Sequence, residues 1–144
     1  MKWIRWFVAG ALAVPLCHQV MLGLLNAAGI VDRAPFSFES TQPFGVPQLV
    51  SLSFWGGVWG IILGVVLARA RTARTYWMIA VIFGAIAPTL VAGFVVAPLK
   101  GQPAGGNAQL AVVGLLVNAA WGAGTAGLYR LFERWGATSR SSPA

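Results

Sequence analysis

The chain is divided into four long apolar segments, and its charged residues lie almost entirely between them. The segments run at about 6–28, 48–69, 76–97 and 107–132. A helix needs roughly 20 apolar residues to cross a hydrocarbon core about 30 Å thick, so each segment is long enough to span a bilayer. Only 9% of the 144 residues are charged, far below the usage of a soluble domain. The sequence therefore predicts an all-α polytopic membrane protein, a four-transmembrane-helix bundle.

The basic residues predict how this bundle is oriented. With four spans, one side of the membrane receives Lys2, Arg5, Arg69, Arg71, Arg74, Arg130, Arg134 and Arg140. The other side receives Arg33 and Lys100. Because Lys and Arg accumulate in cytoplasmic segments, we expect both termini in the cytoplasm. The lipid bilayer is then the expected partner, and the net charge of +7 does not indicate nucleic-acid binding, since no basic stripe with interleaved aromatic residues occurs.

The four segments and their connections occupy nearly the whole chain. We therefore expect one membrane domain over residues 1–136 and a Ser-rich, disordered cytoplasmic tail over 137–144. The first segment is too long for the apolar region of a typical signal peptide, so we expect it to be retained. The connection between the second and third segments is short, which predicts that these helices are antiparallel neighbours.

The two halves of the chain resemble each other. The run from Gly10 to Pro15 in the first segment is similar to the run from Gly84 to Pro88 in the third. Trp59-Gly60 in the second segment is similarly matched by Trp121-Gly122 in the fourth. Either shared membrane composition explains these matches, or the chain consists of two tandem helical hairpins related by an axis along the membrane normal.

The segment from Ile30 to Pro47 is rich in proline and phenylalanine. Proline at 35, 43 and 47 opposes regular structure, and Phe36, Phe38 and Phe44 stand between these prolines. Phenylalanine side chains are unfavourable in water, which predicts a position at the membrane interface or over the mouth of the bundle. A plain interfacial loop and a lid over an outward-facing cavity both fit this pattern.

The residues do not indicate catalysis. The acidic residues are Asp32, Glu39 and Glu133, all outside the apolar segments, so no carboxylate pair is expected within the membrane. Metal-ligand spacing, nucleophile motifs and phosphate-binding loops are also missing from the sequence. Haem would need a second ligand besides His18. Met21 on the same helix cannot bind the opposite face of the iron, which leaves only His18 of a second copy of the chain. We therefore predict a non-enzymatic protein without a cofactor.

Four polar residues are expected near the middle of the membrane: His18, Gln19, Thr89 and Asn118. Counting 1.5 Å per residue from the helix ends places them at similar depth. An ionisable residue inside a membrane segment suggests a functional site. Two interpretations remain open: hydrogen bonds that fix helix packing, contributing roughly 0.6–2 kcal/mol each, or a small polar cavity that binds a solute, ion or proton.

Glycines and tryptophans in the second and fourth segments are the remaining candidates. Gly56, Gly60 and Gly64 recur every four residues, a stripe that lets another helix approach closely, either within the bundle or from a second chain. Three tryptophans, Trp55, Trp59 and Trp121, lie away from the expected interfaces. Their indole N–H groups need acceptors. They either fill gaps beside the glycines or line a ligand cavity.

Several runs together resemble a known family. They are Gly45-Val46-Pro47-Gln48, Phe54-Trp55-Gly56-Gly57-Val58-Trp59-Gly60, Ala97-Pro98-Leu99-Lys100-Gly101 and Asn118-Ala119-Ala120-Trp121-Gly122. The chain is similar, over most of its length, to a family of small, uncharacterised bacterial inner-membrane proteins with four helices. The resemblance implies the four-helix topology and supplies neither an activity nor site residues.

Two functions follow as hypotheses. The first is a non-catalytic accessory, scaffold or assembly module that forms a homo-oligomer or joins a larger membrane complex, as the glycine stripe and short connections suggest. The alternative is a small channel or carrier with its polar site around His18 and Asn118. The repeated halves and the proline-interrupted first and third helices favour this alternative.

Overall fold

Four long helices make up the computed structural model, which describes residues 2–42 and 44–138. Helix α1 covers Lys2–Ala27, with a π-helical turn at Val14–His18, and α2 covers Gln48–Leu67. Helix α3 covers Ala73–Leu99, with a π-helical turn at Ala92–Val96, and α4 covers Ala108–Thr138. The most apolar stretches have mean hydropathies of 1.8, 1.9, 2.4 and 1.5 in chain order. The predicted fold class is confirmed: the protein is helical, with four helices long and apolar enough to span a membrane.

The helix bounds differ from the predicted ones mainly at the two ends of the chain. Helix α1 already begins at Lys2, and α4 continues to Thr138. Residues 137 and 138 of the predicted disordered tail therefore belong to α4, and residues 139–144 lie outside the described part of the chain.

The antiparallel helices give the bundle two distinct ends. We call one the arginine end: it contains the start of α1, the 68–72 turn and the C-terminal part of α4. Its described basic residues are Lys2, Arg5, Arg69, Arg71, Arg74, Arg130 and Arg134. We call the opposite end, with segments 28–47 and 100–107, the loop end.

The helices form two tightly packed pairs, α1 with α2 and α3 with α4. Helices α2 and α3, which the short 68–72 turn predicted to be neighbours, contact each other much less extensively. Their contact includes Trp59 and Phe83, whose rings meet edge to face at 6.0 Å. The main partner of α2 is therefore α1, and that of α3 is α4.

Both pairs cross at the same points of the predicted repeat. In the first pair, a Cβ atom on Gly60 would lie 2.5 Å from the carbonyl oxygen of Trp6 and 3.0 Å from the Cα atom of Gly10. In the second pair, a Cβ atom on Gly122 would meet the carbonyl oxygen of Ala80 and lie 2.9 Å from the Cα atom of Gly84. The crossing residues correspond at a constant offset within each helix, as they would in two tandem hairpins.

The seam between the two hairpins is formed by α1 and α4. The rings of Trp6 and Tyr129 stack at 3.6 Å with an interplanar angle of 6°. Nearer the loop end, Cys17 lies directly against Gly124. A second apolar cluster closes the seam beyond that point and contains Leu22, Leu25, Val113 and Val117.

The described residues of segment 28–47 are irregular except for a small antiparallel hairpin. Its strands are β1, Ser40–Thr41, and β2, Val46–Pro47. Each strand has only two residues, as expected for a segment in which proline opposes regular structure. Pro43 itself lies outside the described residues.

Candidate functional site

The first candidate polar pair lies at the π-helical turn of α1. Pro15 has no N–H group, and in this turn the N–H of Gln19 bonds to the carbonyl of Val14, five residues back. Nε2 of Gln19 lies 3.3 Å from Nδ1 of His18. Gln19 is only 3% exposed, whereas His18 is half-buried. The turn therefore places a buried amide directly beside the only histidine of the chain.

The same glutamine holds the loop above it. Its Oε1 accepts a hydrogen bond of 2.8 Å from the backbone N–H of Phe36. Phe36 has a φ of 57°, an uncommon conformation for a residue other than glycine. The preceding Pro35 packs against Gly23 of α1, 3.4 Å from where a Cβ atom would lie. Gln19 thus satisfies two polar groups and fixes the loop on the helix.

The second polar pair joins α3 and α4. The side-chain amide of Asn118 donates a hydrogen bond of 2.9 Å to the hydroxyl of Thr89. Thr89 follows Pro88, which is buried within α3, and its methyl group fills the space beside Gly114. This bond links the helices one turn from the Gly84–Gly122 crossing.

The predicted polar belt therefore consists of two pairs rather than one cluster. His18 with Gln19 belongs to α1 and the loop, whereas Thr89 with Asn118 belongs to the second hairpin. Within residues 2–42 and 44–138, no hydrogen bond connects the two pairs. Each pair makes its hydrogen bonds within its own hairpin.

The three candidate tryptophans occupy three different environments. Trp121 is 2% exposed, and its Nε1 donates a hydrogen bond of 2.9 Å to the carbonyl of Gly10. The acceptor of this indole is therefore a backbone carbonyl of α1. Trp59 is half-buried against Phe83. Trp55 is 57% exposed on the outer surface and therefore does not line the interior.

The glycine stripe of α2 faces α1 of the same chain. A Cβ atom on Gly56 would lie 2.5 Å from the Val14 side chain, and one on Gly64 would lie 2.6 Å from the Trp6 ring. With Gly60 against the backbone of α1, all three glycines are used within the first hairpin. A second chain cannot occupy this stripe while the hairpin is intact.

A shallow groove lies on the outer surface of the first hairpin. It has a volume of about 420 Å³ and runs between α1 and α2 on the side that would face lipid. Its lining residues are Phe7, Ala11, Pro15, Leu49, Val50, Ser53 and Phe54. None of the candidate polar residues or tryptophans lines it, so the groove and the polar pairs are separate features.

The described residues include no group of three or more His, Cys, Asp or Glu side chains that could hold a metal ion. No family model, curated protein or solved structure matches the chain significantly. The resemblance to small four-helix inner-membrane proteins therefore stays a prediction.

Sequence reasoning missed two contacts at these sites. The first is the hydrogen bond from Phe36 to Gln19, which no periodic pattern signals because Phe36 lies in an irregular loop. The second is the seam contact of Cys17 with Gly124. The sequence signal that could have indicated it is the small size of both residues, since small residues allow two helices to pack closely.

Proposed function

We propose that this chain is a non-catalytic integral membrane protein that acts as an accessory, scaffold or assembly module. The supporting observation is the groove between α1 and α2, which is apolar apart from Ser53 and open to the surroundings. Its lining includes the short side chains of Ala11 and Pro15, beside which another helix could pack closely, and Phe54, which is 54% exposed. Helix association in membranes depends on such close packing.

The partner in this proposal binds at the groove and not at the glycine stripe. Because α1 already covers Gly56, Gly60 and Gly64, replacing these glycines would disrupt the hairpin itself. Loss of assembly in such a variant would not identify an interface. A second copy of the chain or a subunit of a larger membrane complex is the expected occupant.

The test fills the groove without touching the interior. Ala11→Phe should remove the bound partner, whereas Leu16→Phe, at a position 56% exposed that does not line the groove, should retain it. Native mass spectrometry of protein released from lipid nanodiscs would report the chain count and bound subunits for both variants. A wild type that is monomeric and carries no other subunit would refute the assembly proposal.

A small channel or carrier is the second candidate, and the two polar pairs favour it. Gln19 is 3% exposed although it lies in an apolar helix, and π-helical turns interrupt both α1 and α3. Such interruptions are frequent at functional sites and at the binding sites of transporters. His18→Ala and Asn118→Ala should then change solute or ion flux in liposomes. Unchanged flux in both variants, or no flux from the wild type over a broad panel, would exclude this candidate.

We also propose that the arginine end is cytoplasmic, in a bacterial inner membrane. Seven of the ten Lys and Arg residues lie at that end of the described chain, and the positive-inside rule supports the orientation. A tag at either terminus should be protected from reagents added outside intact cells. A tag that is labelled from outside would reverse the topology.

A further inference from the structure

Helix α2 starts well below the other helices at the loop end. Helices α1 and α4 reach the same height there. The hydrogen bond from the Gln109 side chain, near the start of α4, to the carbonyl of Ile30, just beyond α1, places these two helix ends side by side. The first turn of α2 lies lower, since the N–H of Leu49 donates to the carbonyl of Ser37 at 3.1 Å. The adjacent Phe36 is the residue held by Gln19.

The hydrogen bonds therefore place the start of α2 level with Gln19. Helix α1 continues from Gln19 to Ala27. At 1.5 Å per residue, α1 rises about 12 Å above the start of α2. At the loop end, α2 is therefore about two helical turns shorter than α1.

The missing turns fall within membrane depth. Helix α1 has no Asp, Glu, Lys or Arg after Arg5, so the part of it that can lie in hydrocarbon begins at about Trp6. Gln19 lies thirteen residues farther along α1, or about 20 Å at 1.5 Å per residue. Since the hydrocarbon core is about 30 Å thick, Gln19 and the start of α2 lie about 10 Å below its edge at the loop end.

Residues 35–42 and 44–47, which we call the wedge, fill this gap. The β1–β2 hairpin pairs part of the wedge backbone. Further bonds run from Gly45 N–H to the Thr41 carbonyl at 2.8 Å, and from Gln48 N–H to the Glu39 carbonyl at 2.9 Å. Internal pairing of this kind is needed wherever irregular backbone enters a membrane.

The outer surface of the wedge is aromatic. Phe36, Phe38 and Phe44 are 42%, 66% and 87% exposed. Each exposed phenylalanine would cost on the order of 25 cal/mol per Å² in water, and acyl chains remove that cost. The wedge also exposes Glu39 and Gln42, so it combines apolar and polar groups as interfacial elements do.

The positive φ of Phe36 fits the same arrangement. A non-glycine residue keeps this conformation only where its surroundings impose it. Here Gln19 holds the N–H of Phe36, and Pro35 is packed on α1. The helix therefore fixes the wedge at this depth.

We propose that the wedge inserts into the lipid leaflet at the loop end, with its three phenylalanines in contact with acyl chains. Its polar groups meet the headgroups, which are drawn inward beside α2. The bilayer is then locally thinner on the α2 side of the bundle than beside α1 and α4, a response that membranes make to short hydrophobic spans.

Collision rates of spin labels test the insertion. Cys17→Ala removes the single cysteine, after which labels are placed at positions 38 and 44 of the full chain in liposomes. A label at position 90, exposed near the middle of α3, serves as the lipid reference, and one at position 102, in the loop-end connection, serves as the water reference. Labels at 38 and 44 should collide several-fold more often with oxygen than with a water-soluble nickel chelate, as at position 90.

Nickel accessibility at 38 and 44 equal to that at position 102 would overturn the proposal, because the wedge would then face water. Low collision rates with both reagents would also overturn it, since the side chains would be covered by protein. A second measurement leaves Cys17 in place: benzoyl-phenylalanine at position 38 should form photo-adducts with phospholipid. Adducts with protein alone would again contradict insertion.

Discussion

The glycine crossings predict that one added methyl group has opposite effects at two positions. In Gly60→Ala, the new Cβ atom would lie 2.5 Å from the carbonyl oxygen of Trp6, whereas ordinary contact begins at 3.4 Å. The obstacle is backbone on the facing helix, so no side chain can rotate away. Helices α1 and α2 must separate locally by about 1 Å, a gap that forfeits a quarter to a half of each dispersion contact.

The expected cost combines two terms. Overpacking costs about 1–3 kcal/mol, and the rigid backbone contact places Gly60→Ala at the upper end of that range. Alanine in place of glycine gains about 1 kcal/mol in helix propensity, so we expect a net loss of about 2 kcal/mol. At Gly127, the nearest atom to a new Cβ is 3.6 Å away, on the Trp77 ring. Gly127→Ala should therefore be neutral or stabilising by up to about 1 kcal/mol.

The assay is the free energy of unfolding in mixed micelles, measured by titration with SDS and followed by circular dichroism. Gly122→Ala makes the equivalent backbone contact in the second hairpin and should resemble Gly60→Ala. Equal stability of the Gly60→Ala and Gly127→Ala variants would show that the close crossing is not a determinant of the fold.

Three further substitutions test single contacts. Trp121→Phe keeps the ring but removes the donor to Gly10, and should lower the free energy of unfolding by roughly 0.6–2 kcal/mol in the same titration; an unchanged value would mean that the bond contributes nothing. Gln19→Leu leaves the N–H of Phe36 without its acceptor, at a cost of about 1–3 kcal/mol, so amide exchange in the loop should accelerate in mass spectrometry; wild-type exchange there would contradict the anchoring role. Thr72→Ala removes the side-chain cap of α3 and should cost about 1 kcal/mol, with fraying visible as faster exchange confined to the first turn.

The spans were predictable from sequence because hydropathy and the placement of arginine are properties of single segments. The stripe of Gly56, Gly60 and Gly64 was equally visible, but its partner was not. A glycine stripe specifies a smooth surface and leaves open which helix covers it. The choice of α1 depends on a matching small residue, Gly10, far away in the sequence.

The polar residues show a different limit of sequence reasoning. Depth along a helix follows from counting residues, and it placed His18 and Asn118 at similar levels. Whether two residues at one depth face each other depends on helix rotation, which counting does not provide. Gln19 instead pairs with a backbone amide of an irregular loop, whose position follows from the late start of α2.

The two hairpins share the same glycine crossing between their own helices, but the surfaces through which the hairpins pack on each other differ. This difference leads to a fifth prediction. Gly124 lies in the α1–α4 seam, where a Cβ atom would be 2.9 Å from Cβ of Cys17. Ile62 occupies the equivalent position of α2, which packs less extensively on α3. Gly124→Ile should therefore open the seam while leaving both hairpins folded, so the Cys17 thiol should react faster with maleimide and helical content should persist. Gly127→Ile is the matched control, and equal thiol reactivity in the two variants would mean that residue size at this position does not determine how the hairpins pack.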